Sequence, residues 1–318
     1  MDTTPPEKST LEFQLVQALL AEQKSTRRWK NARFFVWIVL FLLFIALSIV
    51  SGMNDEPKMD NGKTDKSYVS LVRLNGTITA KDPFSAEKVI PELSQAFRDK
   101  QSKGVVLLIN SPGGSPVQAS LIHDKILQLK EKYHKEVIVV AEDSLASGAY
   151  LVATAADKIF VNKDTVTGSI GVIMEGFGFE DAMSKLGITR RVFTAGANKD
   201  RLDPFVAVNP ADREKIKQIL DAVHQDFIND VTAGRQGKLT GDLKELFSGD
   251  FWTGSQAVKL GLADATATPW EAMDETFGTT HYRDYSPQPS LWQSVIRDVS
   301  MKLPLGLTDS HAQLQELL

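Results

Sequence analysis

From Tyr68 onward, apolar runs of five to seven residues rich in Val and Ile alternate with stretches in which apolar positions recur every three or four residues. Runs of the first kind suit strands buried on both faces, and their alternation with helical periodicity predicts an α/β fold of repeated βα units around a largely parallel sheet. The expected strands are residues 69–74, 104–110, 137–142, 158–162, 169–174 and 189–193. Between the second and third, Ser115 can cap a helix that has Pro116 at its first position, and Ala119, Ile122, Ile126, Leu129 and Tyr133 then mark one buried face. Asn209-Pro210 opens a longer helix whose stripe of Ile216, Ile219, Leu220, Val223, Phe227 and Val231 is expected to cover the sheet. No repeat of the length that marks a solenoid is present, so residues 68–265 read as one domain. Beyond Asp264 the pattern decays, and residues 266–318 are expected to form a loosely organised tail with short amphipathic pieces such as Leu291, Trp292, Val295, Ile296 and Val299.

The N-terminal part carries a different pattern. Phe34 to Val50 is an apolar run of 17 residues in which only Ser48 is polar, and as a helix it reaches about 26 Å, close to the hydrocarbon thickness of a bilayer. Arg27, Arg28, Lys30 and Arg33 precede it, whereas Asp55, Glu56, Asp60 and Asp65 are mixed with lysines after it. The positive-inside rule therefore predicts a single transmembrane helix over residues 34–50, with residues 1–33 cytoplasmic and everything from about Ser51 extracytoplasmic. A cleaved signal peptide ending near Ala46-Leu47-Ser48 is the competing reading, and the long leading segment and long apolar run count against it. Residues 51–67 are polar and read as a tether, and Leu11, Leu15, Ala18 and Leu19 give residues 1–33 a weak amphipathic pattern.

Composition narrows the chemistry more than the fold. The 318 residues include no cysteine, which excludes disulfides, thiolate metal sites and a cysteine nucleophile. A formal charge of −4 leaves no basic excess to neutralise a phosphate backbone, so nucleic acid is not an expected partner. Hydrophobic residues at 42% and charged residues at 24% describe a chain that folds mostly in water.

Two strand-to-helix junctions can carry acyl-transfer chemistry. SPGG, residues 111–114, supplies two glycines whose backbone can turn sharply and bring N–H groups close to a carbonyl oxygen. SLASGAY, residues 144–150, places Ser147 at a helix start, where unpaired amides such as that of Gly148 favour a developing oxyanion. A serine nucleophile needs a base. His123, His134, His224, His281 and His311 lie on helices or in the tail, outside any glycine-rich or strand-end context, and read as solvated. Lysine is then the alternative base, and since a free amine keeps its proton at neutral pH, such a lysine must sit where water is excluded.

These residues belong to an ordered series. SPGG is followed by DSLASGAYLVATAADKIF, TVTGSIGVIM, LGITRRVFTAGANKD, NPADREKIKQIL and FWTGSQAVKLGLAD. In this order and spacing, across Tyr68 to Ala265, the chain resembles the S49 signal peptide peptidases and their ClpP/crotonase-like fold of repeated ββα and βα units. The resemblance implies a serine endopeptidase without metal or cofactor, in which Ser147 is the nucleophile, Lys199 the general base and Ser169 the hydroxyl that orients the lysine. It assigns Gly114 and Gly148 to the oxyanion hole, and makes Val166, Ile170 and Val172 candidates to line a groove for peptide. An aromatic residue commonly precedes the lysine in this family; here Asn198 does, which leaves Phe193 and Phe205 as candidates to dry the amine. Asp200 is expected to point away, since a carboxylate beside the amine would hold its proton.

With one copy of the motif series, the chain is expected to be a homo-oligomer, an octamer by analogy, whose neighbouring subunits join Ser147 to Lys199. The implied setting is the bacterial cytoplasmic membrane, with the catalytic domain on the outer side and remnant signal peptides or other flexible peptides as substrates. The alternatives are a branch of the family that processes specific envelope proteins, a crotonase-type acyl-CoA enzyme, and a non-catalytic oligomeric scaffold.

Overall fold

A computed structural model describes residues 36–41 and 67–286. Residues 36–41 are helical. The remainder of the expected span 34–50, nearly all of the tether 51–67, the pattern at residues 11–19, the tail pieces at 291–299 and His311 lie outside the described residues. Among the described residues no helix is long and apolar enough to cross a membrane.

The body runs β1 (Tyr68–Asn75), α1 (Ala86–Arg98), β2 (Ser102–Ser111), α2 (Pro116–Tyr133), β3 (Val137–Ala146), α3 (Gly148–Ala153), β4 (Lys158–Val161), β5 (Val166–Gly168), α4 (Glu180–Lys185), α5 (Pro210–Gly234), α6 (Leu243–Leu246), β6 (Phe251–Thr253), α7 (Gly254–Lys259), β7 (Ala265–Thr266), α8 (Pro269–Phe277) and β8 (Tyr282–Asp284). The strands form one sheet in the order β6-β5-β3-β2-β1-β8, with β4 pairing β3 and β7 pairing β4. Every pairing is parallel except β5 with β6. This is the parallel α/β architecture that the Val/Ile runs predict.

The period-two alternation within those runs serves both faces. Val72, Leu74, Val105, Leu107, Ile109, Val137 and Val139 face the core shared with α1, α2 and α3, which also takes Ala119, Ile122, Ile126 and Leu129. Val69, Leu71, Val106, Leu108, Ile138 and Val140 point the other way, against Ala272, Met273 and Phe277 of α8. The α2 cap forms as its sequence implies, with the Ser115 side chain accepting from the Gln118 amide and Pro116 opening the helix.

Four expectations change. Residues 169–174 are not a strand: β5 stops at Gly168, where φ is +93° and then +49° at Ser169, so the chain turns out of the sheet. Residues 189–193 are not a strand either, and lie in an exposed excursion, residues 172–209. The long helix α5 buries only Phe227 and Val231 of its stripe, and Ile219 is exposed. Finally, the chain is ordered well past residue 265: α8 covers one sheet face, and β8 extends the sheet by pairing with β1.

The C-terminal end of α5 is fastened by charge. Arg235, 1% exposed, donates from Nε to the Gly261 carbonyl and from Nη1 to Asp264 at 2.6 Å. Lys238 donates to the other Asp264 oxygen, and the Ile159 amide of β4 to the first. Burial opposes ionisation of Asp264, but these hydrogen bonds outweigh it and hold its carboxyl below the usual range. Because the folded value is depressed, the stabilisation is complete above the unfolded carboxyl's titration near ~4 and is lost as pH falls through the depressed value. Arg235→Ala should cost about 2–3 kcal/mol in urea unfolding, since it removes a buried charge-assisted hydrogen bond and leaves the Gly261 carbonyl unpaired, while Lys238 and the Ile159 amide still hold Asp264. Asp264→Asn should flatten the acid limb of stability below pH ~4.

Candidate active site

The site forms where β2 and β3 end together. Their pairing runs in register from Val105↔Val137 to Ile109↔Ala141, then jumps to Ser111↔Leu145, so extra residues of β3 bulge out before the strand resumes. The Asn110 side chain spans this bulge, accepting from the Ser144 amide and donating to Asp143. Thr165 and Thr167 brace its other side through the carbonyls of Glu142 and Leu145. β3 therefore reaches Ala146 and delivers Ser147 at the edge of the core.

Ser147 stands between β3 and α3 with φ +52° and ψ −125°. An L residue in such a region costs about 1–3 kcal/mol and persists only when its surroundings impose it. The imposition is visible. The Ser147 amide donates to Gly168 O at 2.8 Å, and its carbonyl accepts from Leu151 in α3. Gly113 presses on the same residue: a methyl group placed on it would lie 2.7 Å from the Ser147 Cβ and 2.8 Å from the Gly148 nitrogen. Gly113 has φ +99° and Gly114 φ +144°. The loop after β1 holds this turn, with Ile78 N donating to Gly113 O and Ser115 N to Ile78 O, each at 2.8 Å. A methyl on Gly114 would come within 2.2 Å of the Ile78 oxygen. Ile78, fully buried, carries no motif that marks it in the sequence.

Two backbone donors remain bare at this junction. Among the described residues nothing accepts from the amides of Gly114 and Gly148, and a methyl on Gly148 would sit 3.6 Å from Gly114 N, so the two residues are neighbours. Gly113 N, by contrast, is taken by the buried Ser111 hydroxyl. Two free N–H groups beside a serine hydroxyl can hold the oxygen of a tetrahedral adduct. With α3 only six residues long, these two amides supply the donors more than a helix dipole does.

The other expected site residues are distributed as follows. Ser169 adjoins Gly168, which bonds Ser147, and its own amide donates to Asp250 O at 2.7 Å. Lys199 lies in the excursion, exposed, in a turn closed by its amide on Gly196 O. Among the described residues no hydrogen bond or ion pair engages its amine, and none links it to Ser147. Phe193 is 94% exposed and Phe205 is occupied by Phe179 and by the Arg190 guanidinium, so neither dries an amine in one protomer. Asp200 makes no ion pair among the described residues. Val166 is exposed, and Val172 lines a cavity of about 420 Å³ with α5 residues including Ile216, Leu220 and His224. Ile170 is fully buried; the turn at Ser169 swings its side chain into the core, away from any groove.

Not all histidines are solvated. His123 is 5% exposed on the buried face of α2, and half-buried His224 reaches the Ile170 carbonyl at 3.0 Å. Neither lies in a motif, but helical periodicity flags both: His123 stands four residues past Ala119, and His224 four past Leu220 and three before Phe227.

Comparison with known proteins bears on this arrangement. Residues 129–277 match the model of peptidase family S49, and residues 68–165 match that of Clp protease. A putative signal peptide peptidase SppA of Enterococcus faecium is 30% identical over 236 residues, which cover 71% of this chain and 68% of that protein. Protease 4 of Haemophilus influenzae is 30% identical over 214 residues, 65% of this chain and 34% of that one. A protein of Brucella melitensis named Na(+)/H(+) antiporter NhaA is 41% identical over 218 residues, but the chain spans only 30% of its length.

Gly113→Ala should slow reaction of the Ser147 hydroxyl with a fluorophosphonate by about 10²-fold, because the added methyl displaces Ser147 and the neighbouring Gly148 amide. Gly76→Ala is the control: φ there is +88° with nothing within 4 Å, so it should cost about 1–2 kcal/mol of stability and leave the labelling rate unchanged. Mass spectrometry of the labelled chains and their urea unfolding curves check both.

Proposed function

Since the chain belongs to peptidase family S49, we propose that it is a serine endopeptidase with Ser147 as nucleophile and Lys199 as general base. The observation that carries the reading is Ser147 at φ +52°, wedged by Gly113, beside the unbonded amides of Gly114 and Gly148. The Ser147 Oγ attacks the scissile carbonyl carbon while the neutral Lys199 amine takes its proton. The carbonyl oxygen becomes the oxyanion held by the two glycine amides. As the tetrahedral adduct collapses, the lysine passes the proton to the leaving amine, and the acyl group stays on Ser147. The same amine then takes a proton from water as the water attacks the acyl carbon, and returns it to the Ser147 oxygen as the serine departs, which restores the neutral amine. Ser169, adjoining the residue that bonds Ser147, orients the amine through its hydroxyl.

The dyad is completed between subunits in this reading. Lys199 rides on an exposed excursion that bares large apolar side chains, Ile173 at 83% and Phe193 at 94%, and the upstream half of α5 leaves Ile219 exposed beside it. An apolar surface of this kind marks a contact face, and a second copy of the chain covering it would both exclude water from the lysine and bring it to a neighbouring Ser147. A ring, an octamer by analogy, would admit only extended flexible peptides. With the expected span at residues 34–50, the enzyme is anchored in the bacterial cytoplasmic membrane with its catalytic domain outside, where remnant signal peptides are at hand. Val166 and Val172 remain accessible to a bound peptide.

Ser147→Ala and Lys199→Ala should each lower peptide hydrolysis by at least about 10³-fold without changing the oligomer seen by sedimentation. Unfolded and reassembled together, the two inactive variants should regain activity, up to about a quarter of wild type for a site shared between neighbours. Full activity of either variant alone would refute the dyad, and an inactive mixture would place both residues in one subunit.

A further inference from the structure

The backbone just beyond Ser169 is pinned from two sides. On one side, Ser169 N donates to Asp250 O, and Gly171 lies so close to Gly249 that a methyl on it would fall 2.9 Å from the Gly249 Cα. Within the turn itself, Gly171 N closes on Ser169 O at 2.9 Å. The Ile170 carbonyl points the other way and takes its hydrogen bond from His224 Nε2 of α5 at 3.0 Å. This is a side-chain bond that reaches 54 residues along the chain to the segment joining β5 to the excursion.

His224 occupies a boundary within α5. Downstream, Phe227 and Val231 are seated in the core and Arg235 is locked to Asp264; upstream, Ile216 and Leu220 line the cavity beside Val172 and Ile219 faces out. His224 is thus the place where the anchored part of the helix grips the strand exit. Both the Nε2–H tautomer of neutral imidazole and the imidazolium can donate to the carbonyl.

We propose that His224 is a positioning residue. By holding the Ile170 carbonyl it fixes the turn that sets Ser169 beside Ser147 and the direction in which residues 172–209 leave with Lys199. The proposal rests on the reading of Ser147 and Lys199 as the dyad. His224 itself touches neither the substrate nor the reacting atoms.

The test compares His224→Leu with His224→Gln in the full-length chain, by peptide hydrolysis normalised to fluorophosphonate-titratable Ser147 and by hydrogen exchange of the peptides covering residues 168–175. Leucine fills the space without a donor, whereas the glutamine amide can reach the same oxygen. In His224→Leu, kcat should fall about 10-fold, because a loosened turn misplaces Ser169 and Lys199 relative to Ser147. KM should stay within about 2-fold, and exchange should quicken at residues 168–175 alone. His224→Gln should restore both. Wild-type kcat and exchange in the leucine variant would overturn the proposal, as would a glutamine variant no better than leucine. Should the wild-type chain fail to hydrolyse peptide, the dyad reading falls by itself, and the exchange data still decide whether His224 holds the segment.

Discussion

There is no room for a side chain between residue 113 and Ser147. That contact, with a hypothetical methyl 2.7 Å from the Ser147 Cβ, requires two glycines at positive φ on one strand exit and a serine at φ +52° on the next. The arrangement can exist only if the ends of β2 and β3 are brought level, which is what the bulge after Ala141 does. It also needs a third element to hold the glycine turn, supplied by Ile78. Each of these features is explained by the one below it, down to the parallel register of the central strands.

The local cost is small beside what fixes it. Strain of about 1–3 kcal/mol at Ser147 is imposed by backbone hydrogen bonds on three sides, from Gly168, from the first turn of α3 and from the Ile78 clamp on the facing loop. Those elements stand on a core in which Val and Ile side chains of β1, β2 and β3 alternate between two buried faces. The region carrying Lys199 is built differently. It is tied together by its own contacts, Arg190 with Asp203 at 3.0 Å and Phe179 against Phe205, and to α5 by Arg201 with Asp212, while much of its apolar surface stays bare. On the proposed reading, a rigidly held Ser147 and an outlying Lys199 suit a site that is finished by assembly.

The sequence made the central sheet legible because strands buried on both faces are apolar at most positions, and Ser115-Pro116 made α2 legible because a cap and a first-turn proline are local signals. The positions of Ser147, Gly114 and Gly148 at strand exits were readable for the same reason, since SPGG and SLASGAY are local motifs. What failed depended on distant partners. Residues 169–174 look like a strand, but the turn at Gly168 and Ser169 is set by Trp252, whose ring leaves no space for a side chain at Gly168, and by Asp250. Ile170 appeared available to a ligand for want of that turn. The stripe of α5 promised a helix covering the sheet, yet only its downstream end meets the core. The strand β8 is short and half-polar, and only its pairing with β1 identifies it. His224 falls on the α5 stripe, four residues past Leu220, but nothing local points to its partner, a backbone carbonyl 54 residues away.

The most direct measurement is a structure of the assembled protein with Ser147 phosphonylated. The account predicts the phosphonyl oxygen within about 2.7–3.1 Å of both Gly114 N and Gly148 N, with the Lys199 amine of an adjoining subunit in hydrogen-bonding reach of the Ser147 oxygen. A phosphonyl oxygen turned away from the two amides, or a Lys199 amine that meets Ser147 neither within nor between subunits, would contradict it.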